Sequence, residues 1–333
     1  MATPAEPRRL VVVGAGSLRG RELRRLLDRR TATDERVVLY DEDLAVGTLT
    51  AFGGEPTVIT AVDPDGFVGA SVVFFAGSTA LARRYAAGAQ EAGAFVVDLS
   101  EGPGLAEAPP WIVGLDDVRQ RPGKGGAVVR SPSSLAIAAS GLVAACATFG
   151  LRLLVITALM PVSEFGQAGL EELEAQTRHL FNFQSVPQEV FGTQVAFNLN
   201  RVLPSGQPFS LVDLQQAVER DLRVYWGDQV PVRVQLLQAP VFHSAAFLAY
   251  CELERSVEAE KLAQALTTRG FLLRPAEEIS PVQVSAREVD RPVVAPPEAV
   301  RGEPRAWWFW GVADNVLLVV RNAVAIAEKV LAR

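Results

Sequence analysis

The sequence predicts an α/β protein in two parts: a doubly wound N-terminal domain on a parallel sheet, then an α+β domain with a mixed, largely antiparallel sheet. Three observations predict it. Short β-branched runs alternate with helical patterns over the first third of the chain, glycines crowd the first strand–helix junction, and from Leu151 the runs lengthen while helices become fewer and longer. A length of 333 residues is ample for two domains of about 100–200 residues each. The expected division is residues 1–132, 133–312 and a C-terminal helix, 313–333, packing back on the first domain.

Strands are predicted at Leu10–Val13, Arg36–Tyr40, Thr57–Thr60, Ser71–Phe75, Phe95–Leu99 and Ala127–Arg130, with helices over Leu18–Asp28 and Thr79–Ala92. In Leu18–Asp28, Leu23, Leu26 and Leu27 form the apolar stripe, so the arginines from Arg19 to Arg30 read as a solvated face. Ser131–Leu151 carries no charge and is long enough to span a bilayer. Its Ala, Ser and Gly content and the immediate return to an apolar run after Arg152 favour a buried helix followed by a buried strand. Further strands are expected at Leu153–Met160, Val232–Gln238, Phe242–Glu254 and Trp307–Val312. Helices are expected at Gly169–Phe181, Leu211–Trp226, Val257–Leu266 and Val316–Leu331, with a Pro-rich loop over Arg291–Pro304.

Composition narrows the function. The chain is 49% hydrophobic and 21% charged, with 32 basic against 38 acidic residues and a net charge of −6. That balance offers no general attraction to nucleic acid or anionic lipid. Cys146 and Cys251 lie in apolar stretches without metal-like spacing, and His179 and His243 are the chain's histidines, so no metal site is expected. Met1–Arg9 has no apolar core of a signal peptide, and a cytoplasmic location is expected.

Leu10–Val13 runs into Gly14-Ala15-Gly16-Ser17-Leu18-Arg19-Gly20, placing glycines between a strand and a helix N-terminus, where a pyrophosphate meets backbone N–H groups and the positive end of the helix dipole. A strict G-x-G-x-x-G would put its third glycine at Arg19. Asp41 follows at the distance of a ribose-binding carboxylate. Two readings stay open: a working dinucleotide turn with Gly14, Gly16, Ser17, Gly20 and Asp41 as ligands, or the tight turn of a Rossmann-like fold that binds nothing.

Several segments in order resemble the aspartate-semialdehyde dehydrogenase family. Gly14-Ala15 with Gly20 and Glu22 resembles its G-A-T-G-x-V-G-x-E turn, and Phe75-Ala76-Gly77-Ser78 its F-x-A-G-x-S segment. Val96–Ser100 is similar to V-I-D-x-S, Ser163–Leu173 to S-G-A-G-x-x-G-x-x-E-L, and Val195–Asn198 to I-A-F-N. Pro240–Phe242 resembles P-V-F, and Asp314-Asn315 with Asn322–Val324 the closing D-N and L-N-A-V. The resemblance implies the family's fold, a homodimer formed through the second domain, NADP as cofactor, Gly77 and Ser78 beside it, and a cysteine thiolate that attacks the aldehyde.

The reacting groups differ. Where the resemblance places N-P-N-C-S/T the chain has Ser131-Pro132-Ser133-Ser134-Leu135, so Ser134 stands at the nucleophile's position; its bland alternative, with Ser133, is a helix N-cap. In the family's R-x-P-V-x-x-x-H, Gln238 replaces the arginine and Ala245 the histidine. His243, two residues earlier, is expected on the same strand face, displaced by roughly 6–7 Å; it reads as a displaced base or as structural. Gly104 falls at the phosphate-binding arginine. The run Leu39-Tyr40-Asp41-Glu42-Asp43 replaces hydroxyls and an arginine that meet the 2′-phosphate, so NAD is expected over NADP if a dinucleotide binds. The resulting expectation is a dimeric paralogue without dehydrogenase activity, acting as a binding or regulatory protein with a small-molecule or protein partner. The alternatives are an NAD(P)-dependent oxidoreductase of altered chemistry and a weak hydrolase using Ser134.

Overall fold

The structure is a computed structural model that describes residues 8–30, 35–42, 45–115, 127–204, 206–207, 209–228 and 231–332. The chain divides into two compact units, one comprising Met1–Val113, Gln120–Ser131 and Val319–Arg333, the other Gly114–Arg119 and Pro132–Leu318.

In the first unit the order is β1 (Arg8–Val13), α1 (Leu18–Arg30), β2 (Glu35–Asp41), β3 (Leu49–Phe52), β4 (Glu55–Val58), β5 (Thr60–Ala61), β6 (Val72–Phe75), α2 (Thr79–Glu91), β7 (Phe95–Asp98) and β8 (Val128–Arg130). Among the described residues six strands form a parallel sheet in the order β5-β2-β1-β6-β7-β8. Leu10 to Val13 are buried on both faces, as an all-parallel sheet covered by helices requires. The order reverses between β1 and β6, which is where open α/β sheets take ligands. Phe67 packs edge-on against Tyr40, Phe75 and Tyr85 and closes the core under that point. The single strand expected at Thr57–Thr60 is instead the second arm of a β3–β4 hairpin plus the two-residue β5. Gly53 and Gly54, both at positive φ (63° and 79°), supply the two-residue turn that makes the hairpin.

The second unit runs α3 (Ser134–Ala147), β9 (Leu151–Met160), α4 (Gly166–Phe181), α5 (Leu211–Trp226), β10 (Val232–Gln238), β11 (Ala245–Leu253), α6 (Ala259–Thr268), β12 (Leu272–Leu273), α7 (Pro281–Ala286), β13 (Val293–Val294), β14 (Glu298–Ala299), β15 (Ala306–Ala313) and the start of α8 (Leu317–Leu331). Its sheet follows β10-β9-β11-β15-β13-β12, with β14 on β15. The pairings of β11 with β9 and β15 are antiparallel, while β9–β10 and β12–β13 are parallel. The Pro-rich stretch expected to be a loop contributes β13 and β14, which edge β15. Every residue of α3 from Ser134 to Cys146 is buried, and among the described residues no helix is long and apolar enough to cross a membrane. Cys146 on α3 and Cys251 on β11 are buried free thiols with Sγ atoms 3.8 Å apart. Their mutual contact and burial hold the Cys146 thiol well above its ordinary pKa.

Most of α8 belongs to the first unit. Asn322 fixes it there, its Nδ2 donating to Trp111 O (2.7 Å) and Ser131 Oγ (3.0 Å) and its Oδ1 accepting from Val113 N–H (2.9 Å).

Candidate functional site

At the first strand–helix junction the glycines are demanded by backbone proximity. Gly14 has φ +84°, and a Cβ there would lie 2.1 Å from Gly77 N; a Cβ on Gly20 would lie 2.0 Å from Gly14 O. Gly20 therefore does the helix-to-strand packing expected of the third glycine, one position later than the strict motif. The turn's own donors are largely engaged: Gly14 and Ala15 N–H donate to Tyr40 O, and Gly16 N–H donates to Asp41 Oδ2 at 2.6 Å. Ser17 Oγ donates to Ala76 O (2.8 Å) and accepts from Gly20 N–H (2.8 Å). Within the first turn of α1, Gly20 N–H donates to Ser17 Oγ and Arg21 N–H to Ser17 O, so an anion here would meet chiefly the positive end of the helix dipole. Across the switch point, Gly77 packs on Gly14, and Ser78 caps α2 by accepting from Leu81 N–H at 3.1 Å.

Asp41 ends β2 with both oxygens oriented, Oδ2 by Gly16 N–H and Oδ1 by Glu42 N–H (2.8 Å). Among the described residues, about two of its four lone-pair positions stay open. The acidic run is not isolated. Arg24 on α1 stands near Asp41 and donates to Thr50 Oγ1 (2.6 Å); burial, with Arg21 adding to it, lowers the guanidinium's pKa, and Asp41 opposes the shift. Glu42 pairs with Arg84 of α2. Asp43 lies outside the described residues.

Arg19 corrects the expectation of a solvated arginine face. It is 4% exposed, and its guanidinium crosses under the strand ends to donate to Leu99 O (3.2 Å) and Ser100 O (2.5 Å). Its position one residue before Gly20, facing the sheet, is a signal that the stripe of leucines masked.

In the second unit the polar groups at α3 point inward. Ser133 is the N-cap, accepting from Ala136 N–H at 3.2 Å; Ser134, in the first turn, is fully buried and its Oγ meets no hydrogen-bond partner among the described residues. The joint cap expected of the two serines thus falls to Ser133 alone. Gln238 is also fully buried: its Nε2 donates to Met160 O (2.9 Å) and Ala239 O (3.0 Å), so the amide fixes a turn.

His243 does not lie on a strand. β11 begins at Ala245, because Ser244 adopts φ +69°, and Val241 O and Phe242 O accept from Val162 and Ser163 N–H. The same-face argument for His243 therefore fails. Asn315 Oδ1 accepts from Ser244 N–H (3.0 Å), and its amide bonds Ser163 Oγ (3.0 Å), holding the turn. The imidazole is half-buried; burial lowers its pKa, and the charge of Asp314 opposes the shift.

Gly104, in the first unit, has φ +65°, and a Cβ there would lie 2.5 Å from Arg130 Cδ. Arg130 fills the space in which a side chain at 104 would begin. Among the described residues no cluster of three His, Cys, Asp or Glu side chains has the arrangement of a metal site.

A doubly wound domain with a glycine turn, joined to a mixed-sheet domain, defines the class. The chain belongs to the semialdehyde dehydrogenase family: the model for the NAD binding domain matches residues 9–121 and that for the dimerisation domain residues 140–318. It is similar to a USG-1 protein homolog of Pseudomonas aeruginosa, 27% identical over 97% of this chain and 98% of the relative. An aspartate-semialdehyde dehydrogenase of Rickettsia bellii is 22% identical over 97% of each chain. Among solved structures, a probable aspartate-semialdehyde dehydrogenase from Pseudomonas aeruginosa superposes with TM-score 0.85 at 25% identity, over 98% of each chain.

Proposed function

We propose that this protein is a homodimeric, NAD-binding member of the family that lacks phosphate-dependent semialdehyde dehydrogenase activity and serves as a binding or regulatory protein. The observation that carries the loss is Ser134. A hydroxyl must surrender its proton to attack an aldehyde, and an activating base has to stand within about 2.6–3.2 Å. Among the described residues Ser134 Oγ has no such partner, and it is fully buried. Gln238 and Gly104 bring no positive charge where the resemblance places two arginines. Purified protein given aspartate semialdehyde, phosphate and NAD or NADP is expected to form no reduced cofactor. Turnover within the ordinary enzymatic range of about 1–1000 per second would overturn the proposal. S134C alone is expected not to rescue activity, since it supplies a thiol without a base.

NAD binding is supported by Asp41, whose carboxylate is oriented beside the glycine turn with acceptor positions to spare. That geometry also favours one second reading, an NAD-dependent oxidoreductase working without a covalent intermediate; reduction of NAD by a substrate other than the semialdehyde would select it.

Dimerisation is supported by the second sheet. Helices α3 and α5 cover one face; on the other, where α7 covers one end, Leu153, Val155, Leu248, Tyr250 and Trp308 stay half-buried or exposed beside Thr157 and Glu252, more apolar surface than a sheet facing water carries. An isologous pair would cover it. Light scattering at micromolar concentration is expected to give twice the 35.8 kDa chain mass, and a monomeric mass would contradict it.

A further inference from the structure

The dinucleotide crevice carries an ion pair at its mouth that the reading above leaves without a role. Glu42 directly follows Asp41, and its Oε1 accepts from Arg84 Nη1 at 3.1 Å. Arg84 lies in the second turn of α2, the helix that starts beyond Gly77. Because β2 and β6 flank β1, the pair joins the two sides of the switch point. Both side chains remain accessible, Arg84 at 68% and Glu42 at 35%.

We propose that Glu42 is the residue that selects between dinucleotides: by pairing with Arg84 it neutralises the cation that would otherwise receive a ribose 2′-phosphate. The inference rests on the NAD reading of the same crevice. A guanidinium matches phosphate oxygens bidentately, and a phosphate monoester carries between one and two negative charges near neutral pH. Arg84 is therefore the natural ligand for that group, but it is already engaged. An exposed pair is easily broken, so the pair does not bar entry. Selection arises afterwards, when a displaced Glu42 is left beside Asp41 and the incoming phosphate, three like charges together. An unphosphorylated ribose takes Asp41 and leaves the pair intact. Arg24, the other cation near Asp41, donates to Thr50 and is the same in every variant below, so the comparison reads Arg84.

The test is calorimetric titration of NAD and NADP into the intact protein and into E42Q, R84A and the double variant, at one low ionic strength. E42Q is expected to tighten NADP about tenfold while NAD stays within about threefold. R84A alone is expected to leave NADP weak, and the double variant to lose most of the E42Q gain, which separates attraction by Arg84 from mere removal of a carboxylate. Added salt is expected to erode the E42Q gain. Unchanged NADP affinity in E42Q, with NAD still bound by the parent, overturns the inference and leaves the NAD reading standing. A double variant that keeps the full gain overturns the role of Arg84. Failure of every variant to bind either dinucleotide removes the NAD reading and the inference with it.

Discussion

Two strand-to-helix connections, β1–α1 around Gly14 and β8–α3 around Ser134, put their glycine and polar residues to different uses. At the first, a Cβ on Gly14 or Gly20 would meet backbone at 2.1 or 2.0 Å, so packing preserves these two glycines whatever the turn binds. At the second, Ser131 Oγ donates to Val319 O (2.7 Å), Ser133 caps α3, and Ser134 is buried with no hydrogen-bond partner among the described residues. Packing keeps a glycine turn but has no need of a thiolate or a base. The glycines therefore say little about binding, whereas Asp41, which the turn does not require for space, says more.

Substitutions sharpen the comparison, beginning with the largest effect. Gly20→Val drives a side chain into Gly14 O and is expected to destabilise by about 2–4 kcal/mol in denaturant unfolding; a near-neutral result would break the claim that packing holds this turn. Gly104→Arg, which restores a cation where the resemblance places one, is expected to cost about 2–3 kcal/mol through its positive φ and its collision with Arg130, with no gain in turnover. At the second junction, adjacent serines are expected to behave differently. Ser133→Ala removes the cap of α3 and costs about 1 kcal/mol. Ser134→Ala removes a buried hydroxyl that has no partner among the described residues and is expected to change stability by less than about 0.5 kcal/mol.

The smallest effect concerns pH. Burial lowers the folded-state pKa of His243 below the unfolded value of 6.5, so the unfolded chain binds more protons between the two. Its contribution to stability is full above the unfolded value and declines as pH falls through that window. His243→Gln is expected to flatten this part of the stability–pH curve, and an unchanged slope would show that the imidazole is not the group responsible.

Much of this was legible in the sequence where a period or a glycine pattern repeats. Val232–Gln238 and Leu211–Trp226 match their expected bounds, since alternation and a 3.6-residue stripe leave one solution. The limits of such reading are local and physical. The α1 stripe marks which leucines face the core, but not that Arg19 turns under the sheet to two carbonyls. The apolar run from Phe242 suggests a strand, but Ser244 takes a left-handed conformation and moves its start to Ala245, carrying His243 into a turn. The acidic run at Asp41 suggests repulsion alone, because Arg24 reaches it from the preceding helix and Arg84 pairs with Glu42 from α2, remote in sequence. Contacts between remote elements have no local signature, and they decide the charge of this site.

The proposed contrast, a glycine turn that takes a dinucleotide beside a serine junction that performs no dehydrogenase chemistry, is tested most directly by one experiment. NAD is titrated calorimetrically into the intact protein with aspartate semialdehyde and phosphate present, and absorbance at 340 nm is read on the same sample. Saturable heat of binding with flat absorbance is the expected result. Absorbance that rises with turnover would contradict the account, and so would the absence of any binding heat.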